Sequence, residues 1–251
     1  MSPPRTGRRC CRSPALAVAL LLALLLAGCG GDPATPGIMG NRVIGYAPVV
    51  ASGVTAAQWP WFFDDALALG PPGGTLDVVS LGYDPTQASA LGGSLTLGLG
   101  TAGDATARAC AVDGPGDDLA VYENAFVTTN PATSLAGTYT EVATVEVSAD
   151  NNTWYLFPPT DDTAMDPVDP ARYANLAGVT PTDQGGDRFD LAALIAAHGL
   201  PADFRACYVR LTDGGTLYPD YGNSQSDLYD SGADIDAVEA LNSVDAPGLT
   251  P

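Results

Sequence analysis

The chain has 251 residues, ten arginines and no lysine, against 25 aspartates and only four glutamates, for a formal net charge of −19. Four of the arginines precede residue 13 and all 29 acids follow residue 29. The bulk of the chain therefore lacks the basic surface that a phosphate backbone requires, which excludes nucleic acid as a partner. An apolar fraction of 46 % with 29 glycines and 21 prolines fits one folded domain with a good core and a turn-rich surface.

The amino end carries Arg5, Arg8, Arg9 and Arg12, then an apolar run from Ala15 to Ala27. These are the charged and apolar regions of a secretory signal, and the run is short of the roughly 20 residues that span a bilayer. It closes on Leu26-Ala27-Gly28-Cys29, which resembles the lipobox of bacterial lipoproteins. The resemblance implies cleavage after Gly28 and acylation of Cys29, hence a membrane partner held through a lipid anchor. Two or more acyl chains make such anchoring stable, at about 0.8 kcal/mol per buried CH₂. Gly30 follows the cysteine, which by the same resemblance favours export to the outer membrane or cell surface. The expected organisation is a signal peptide over 1–28, a lipidated cysteine and flexible tether over 29–45, and one β-sandwich domain over 46–251.

Beyond the tether, short apolar runs are separated by Gly, Pro, Asp and Asn. Val78–Leu81 is the first strand candidate, and Ser94–Leu99 alternates Leu95, Leu97 and Leu99 with small or polar residues. Leu119–Tyr122 follows. Val142–Ser148 puts Val145 and Val147 on one face, Asp150-Asn151-Asn152 supplies a turn, and Trp154–Phe157 returns. Asp190–Ala197 reads as the one helix, with Asp190 as cap and Leu191, Leu194 and Ile195 on one face. Cys207–Leu211 points Cys207, Val209 and Leu211 inward, with Arg210 outward opposite Glu146, and Ile235–Leu241 is the last candidate. Alternation of period two with frequent turns predicts an all-β fold, an antiparallel, jelly-roll-like β-sandwich with one short helix.

Several segments resemble a group of predicted bacterial cell-surface lipoproteins of unknown function: Leu91–Leu97, the stretch Gly114-Pro115-Gly116-Asp117-Asp118-Leu119 through Asn124, Val145–Trp154, Gly185–Leu191 and Asp234–Val238. The Val145–Trp154 hairpin with Tyr208–Leu211 is also similar to core strands of discoidin-type, galactose-binding-like domains. Residues Pro158–Thr182 depart from that pattern. The resemblance implies a sandwich on the cell surface and no established activity.

Cys10 and Cys11 leave with the signal and Cys29 is acylated, so Cys110 and Cys207 are expected to form one disulfide in an oxidising compartment. Three acidic clusters surround glycines: Asp113, Asp117, Asp118 and Glu123; Asp183, Asp187 and Asp190; Asp230, Asp234 and Asp236. Oxygen ligands without clustered cysteine or histidine point to calcium as the ion. Trp59 and Trp61, with Tyr218 and Tyr221, are aromatic candidates for a ligand surface. His198, the single histidine, sits where it complements a helix end. No nucleophile elbow or phosphate loop is present in the sequence. The expected function is a non-catalytic, calcium-stabilised module, not an enzyme, that binds glycan or another surface protein. The alternatives are a carboxylate-based polysaccharide hydrolase and a purely structural envelope component.

Overall fold

In the computed structural model, the described residues are 37–50, 62–74, 77–84, 86, 91–130, 132–166, 168–218 and 232–246. In chain order they form β1 (Ile38–Ala47), β2 (Val79–Ser80), β3 (Ser94–Thr101), β4 (Ala109–Val112), β5 (Leu119–Glu123), β6 (Phe126–Thr129), β7 (Ala136–Tyr139), β8 (Ala143–Ser148) and β9 (Tyr155–Leu156). There follow β10 (Thr160–Asp161), β11 (Tyr173–Ala174), β12 (Leu176–Ala177), β13 (Asp187–Phe189), helix α1 (Leu191–His198), β14 (Arg205–Ala206), β15 (Tyr208–Asp213), β16 (Asp234–Ala240) and β17 (Ser243–Asp245). The fold is all-β, antiparallel and sandwich-like, with one helix.

The main sheet runs β12-β8-β15-β3-β1-β16-β5-β13, with β9 completing the β8 edge and β2 beside β16. Strands β3, β8 and β15 keep the expected alternation. Leu95, Leu97 and Leu99 of β3, Val145 and Val147 of β8, and Val209 and Leu211 of β15 enter one core with Leu119, Val121, Phe157 and Phe189. The opposite positions Arg210 and Glu146 face each other in register and pair through two bonds of 2.7 and 2.8 Å. The Arg210 guanidinium also lies 4.3 Å from the Trp154 ring centroid. The predicted hairpin is present: β8 returns as β9 through Asn151, in the left-handed region at φ 60°, while Asp150 accepts from the Asn152 and Thr153 amides at 2.9 Å. Asn tolerates that conformation better than most residues.

Because every pairing is antiparallel, the sheet has two distinct ends. Ile38 at the start of β1 pairs with Thr101 and Ala240, and Ala240 pairs with Leu119. This is the proximal end, where the described chain begins. At the distal end Ala47 pairs with Ser94, and Asp213 with Ala143, while Glu123 pairs with Ile235. The β1 strand corrects the predicted tether. Residues 38–45 are not linker but part of a central strand, hidden in the sequence because bulges at Gly40/Arg42 and Val43/Gly45 break its alternation.

A smaller sheet, β14-β4-β17, packs at the proximal end. The disulfide between Cys110 on β4 and Cys207, just ahead of β15, ties it to the main sheet. Both sulfurs sit in a buried cluster with Tyr208 and Ala246. Helix α1 has its predicted cap, the Asp190 side chain accepting from the Ala192 amide at 2.7 Å; Gly199, at φ 64°, ends it. His198 in its last turn is hydrogen-bonded through Nε2 to the Leu156 carbonyl oxygen at 2.8 Å.

Candidate functional site

The acidic residues regroup in space. Asp113, Asp118 and Asp190 come together at the proximal end, each offering a carboxylate oxygen within 4.8 Å of the others. They derive from two different sequence clusters. The join is made by Asp118, fully buried, whose Oδ2 accepts the Leu191 amide at 2.8 Å and whose Oδ1 accepts the Gly114 amide at 2.9 Å and the Asn242 side-chain amide at 2.8 Å. One carboxylate thus fixes the β4–β5 turn, the β16–β17 turn and the start of α1. Its charge beside a helix N-terminus is favourable in itself. Oxygen ligands from three carboxylates on a partly exposed rim are also the donor set calcium takes. Asp117 is exposed and offers only its backbone oxygen to Asn242. Glu123 lies at the opposite end of β5, where it accepts the Asp234 amide at 3.1 Å.

Asp187 has a different task from the ligand expected of it. The main sheet curls into a half-barrel, which brings its two edges, β12 and β13, together. The Asp187 side chain on β13 bridges them: Oδ2 accepts the amides of Gly178 at 2.7 Å and Val179 at 2.9 Å, and Oδ1 that of Thr180 at 3.0 Å. These three N–H groups follow β12 directly and have no ladder partner across the seam, so a side chain does what a strand does elsewhere. Burial pushes the Asp187 carboxyl up to about 6, against the three amides, which favour the anion. Asp183, on the turn next to it, is exposed.

The third cluster splits in the same way. Asp236 is buried and accepts the amides of Gly73 at 2.7 Å and Gly74 at 3.1 Å, pinning the loop that crosses the sheet. Its burial raises the carboxyl above its ordinary value, with Asp77 adding to the rise. Asp234 is buried at the distal tip of β16, beside Glu123. Asp230 lies outside the described residues, as do Cys29, Trp59, Trp61 and Tyr221. Tyr218 is half-buried and packs against Val142, Tyr173, Leu176 and Val179.

Two distal features were not singled out in the sequence. The hairpin β6–β7 and the turn after β15 expose large apolar side chains: Phe126 at 48 %, Val127 at 68 %, Leu135 at 54 % and Leu217 at 55 %. Phe126 stacks on Tyr139 with ring centroids 4.6 Å apart. Next to the seam lies a cleft of about 500 Å³, bordered by Tyr173, Asn175, Leu176, Val179, Gln184 and Arg188. Its lining includes backbone in unusual conformations, with Asn175 at φ 58° and Gly186 at 65°, and the adjoining Gly178 at 91° and Gly185 at 99°. Non-glycine residues adopt such angles rarely, and they gather at turns and ligand sites. The Gly-Gly pair was the legible signal, and the insertion from Pro158 to Thr182 supplies the rest of the wall.

The chain matches no protein-family model and no curated protein.

Proposed function

We propose that the chain is exported, acylated on Cys29 and displayed at the cell surface as a non-catalytic binding module, with calcium held between Asp113, Asp118 and Asp190. The observation that carries this reading is the polarity of the sheet. The chain enters at the proximal end through Ile38, and the exposed apolar residues and the cleft lie at the distal end. Nine residues from Cys29 to Gly37 reach at most about 30 Å. The proximal end would therefore stay near the lipid while the distal end faces outward, toward a glycan or another surface protein.

Two further observations support it. The Cys110–Cys207 disulfide suits an oxidising compartment outside the cytoplasm. The buried carboxylates of Asp118, Asp187 and Asp236 are engaged by backbone amides, which supports structural roles over general acid–base work.

The test is thermal unfolding of the soluble mature chain (residues 30–251) with calcium and with chelator. Binding to the native state stabilises by RT ln(1 + [L]/Kd), about 4 kcal/mol for millimolar calcium over a micromolar site. The expected midpoint shift is about 10 °C, abolished in Asp113→Asn and in Asp190→Asn. An unchanged midpoint would remove calcium from the reading and leave the triad as a cap for α1.

A further inference from the structure

We propose that the distal cleft is a binding site for a small saccharide that carries a carboxylate, held by Arg188. The inference rests on the reading of the chain as a binding module and gives that module its ligand class. At about 500 Å³ the cleft falls within the range of small-molecule sites, roughly 300–1,000 Å³.

Its chemistry is uneven in an informative way. Leu176, Val179 and Tyr173 form the buried base beneath the cleft, packed with Tyr218, so what the cleft offers a ligand is its polar rim. Asn175 and Gln184 bring carboxamides to the rim, and a carboxamide both donates and accepts, as vicinal hydroxyls require. Arg188 adds a guanidinium. It projects from the edge strand β13 and is exposed, with Nη2 folded over Gly185, where a Cβ would come within 3.1 Å of it.

Four of the five other described arginines are engaged by the protein itself. Arg210 is paired with Glu146 and Arg172 with Asp161. Arg42 donates to the Leu99 carbonyl oxygen and the Asn41 side chain, and Arg108 to two carbonyl oxygens. The Arg188 and Arg205 side chains make no ion pair or hydrogen bond among the described residues; Arg205 stands on β14 of the small proximal sheet, and of the two only Arg188 borders the cleft. In a chain this rich in aspartate, an unpaired guanidinium at the mouth of a cleft is the place where a carboxylate ligand is attracted. A guanidinium meets a carboxylate through two parallel hydrogen bonds, a geometry lysine does not reproduce.

The wall is rigid before any ligand arrives. Of the three amides that Asp187 holds, those of Val179 and Thr180 belong to residues of the cleft wall. Asn175 is fixed by its side-chain amide donating to the Pro158 carbonyl oxygen at 2.8 Å. Preorganisation of this kind lowers the ordering cost of binding.

The experiment is titration calorimetry of the mature chain with digalacturonate and with its neutral methyl ester as probes, repeated on Arg188→Ala and Arg188→Lys. Melting curves of both variants check that the fold is kept. The expected result is measurable binding of the free acid, at least tenfold weaker binding of the ester, and at least a tenfold loss in both variants. Equal binding of acid and ester, or wild-type affinity in Arg188→Ala, overturns the carboxylate assignment while leaving a sugar-binding module standing. Binding of neither probe overturns the saccharide assignment. None of these readouts depends on acylation of Cys29 or on the calcium-dependent melt, so the broader reading fails or survives separately.

Discussion

Asp187 offers the sharpest internal test, because two opposing effects meet on one side chain. Its carboxyl is buried, which favours the neutral form, and three backbone amides favour the anion. Burial wins: the carboxyl rises from 3.8 to about 6, about 3 kcal/mol of preference for the protonated state at about 1.4 kcal/mol per pH unit. The folded chain then binds this proton more tightly than the unfolded chain. Its stabilising contribution is complete below about pH 4 and is lost as the pH rises through about 6. Asp187→Asn removes the titration while keeping the shape. It also sets its NH₂ against one of the three amides, an offset that does not vary with pH. Urea unfolding of both proteins across about pH 4.5–7.5 isolates the effect as a difference. The stability of wild type minus that of Asp187→Asn should fall by about 2 kcal/mol over that range. A difference that stays flat, or grows with pH, would mean that the three amides outweigh burial and that the seam is held by an ordinary anion.

Three other outcomes follow from the packing. Replacing both Cys110 and Cys207 by alanine opens a loop of 97 residues, worth about 4–5 kcal/mol in the chain-entropy account; the midpoint of melting should drop by about 10–15 °C, and reductant should do the same to wild type. Gly137→Ala would drive a Cβ into the Val168 carbonyl, where the Thr138 amide docks at 2.8 Å; it should cost about 2 kcal/mol or more and raise proteolysis in β6–β7. A double-mutant cycle on Glu146 and Arg210 should give a coupling of about 1 kcal/mol, above the usual surface pair because the contact is two-pronged and half-buried under Trp154.

Where one residue sets one local interaction, the sequence was readable. Alternation in β3, β8 and β15, the Asp150 turn, the Asp190 cap and the pairing of the two remaining cysteines all follow from short-range rules. The β1 strand was not readable, since Gly40 and Gly45 sit in it and its bulges erase the period-two signal. Strands of two residues outside a legible turn, such as β10 and β12, are shorter than any periodicity can register. The acidic clusters were found as residues but mis-sorted as groups. Glu123 is five residues along β5 from Asp118 and therefore at the other end of the sheet, whereas Asp190 reaches Asp113 only because the Leu191 amide docks on Asp118. Asp187 could not be read as a seam clasp, because its partners exist only once a ten-stranded sheet has curled upon itself.

The claim on which the surface reading stands is that the chain is cut after Gly28 and acylated on Cys29. Mass spectrometry of the amino-terminal peptide from membranes of expressing cells tests it directly. The account predicts a peptide beginning at Cys29 and carrying diacylglycerol, with a third acyl chain on its amine where the host adds one. A peptide that retains residues before Cys29, or an unmodified Cys29 in soluble protein, would contradict it.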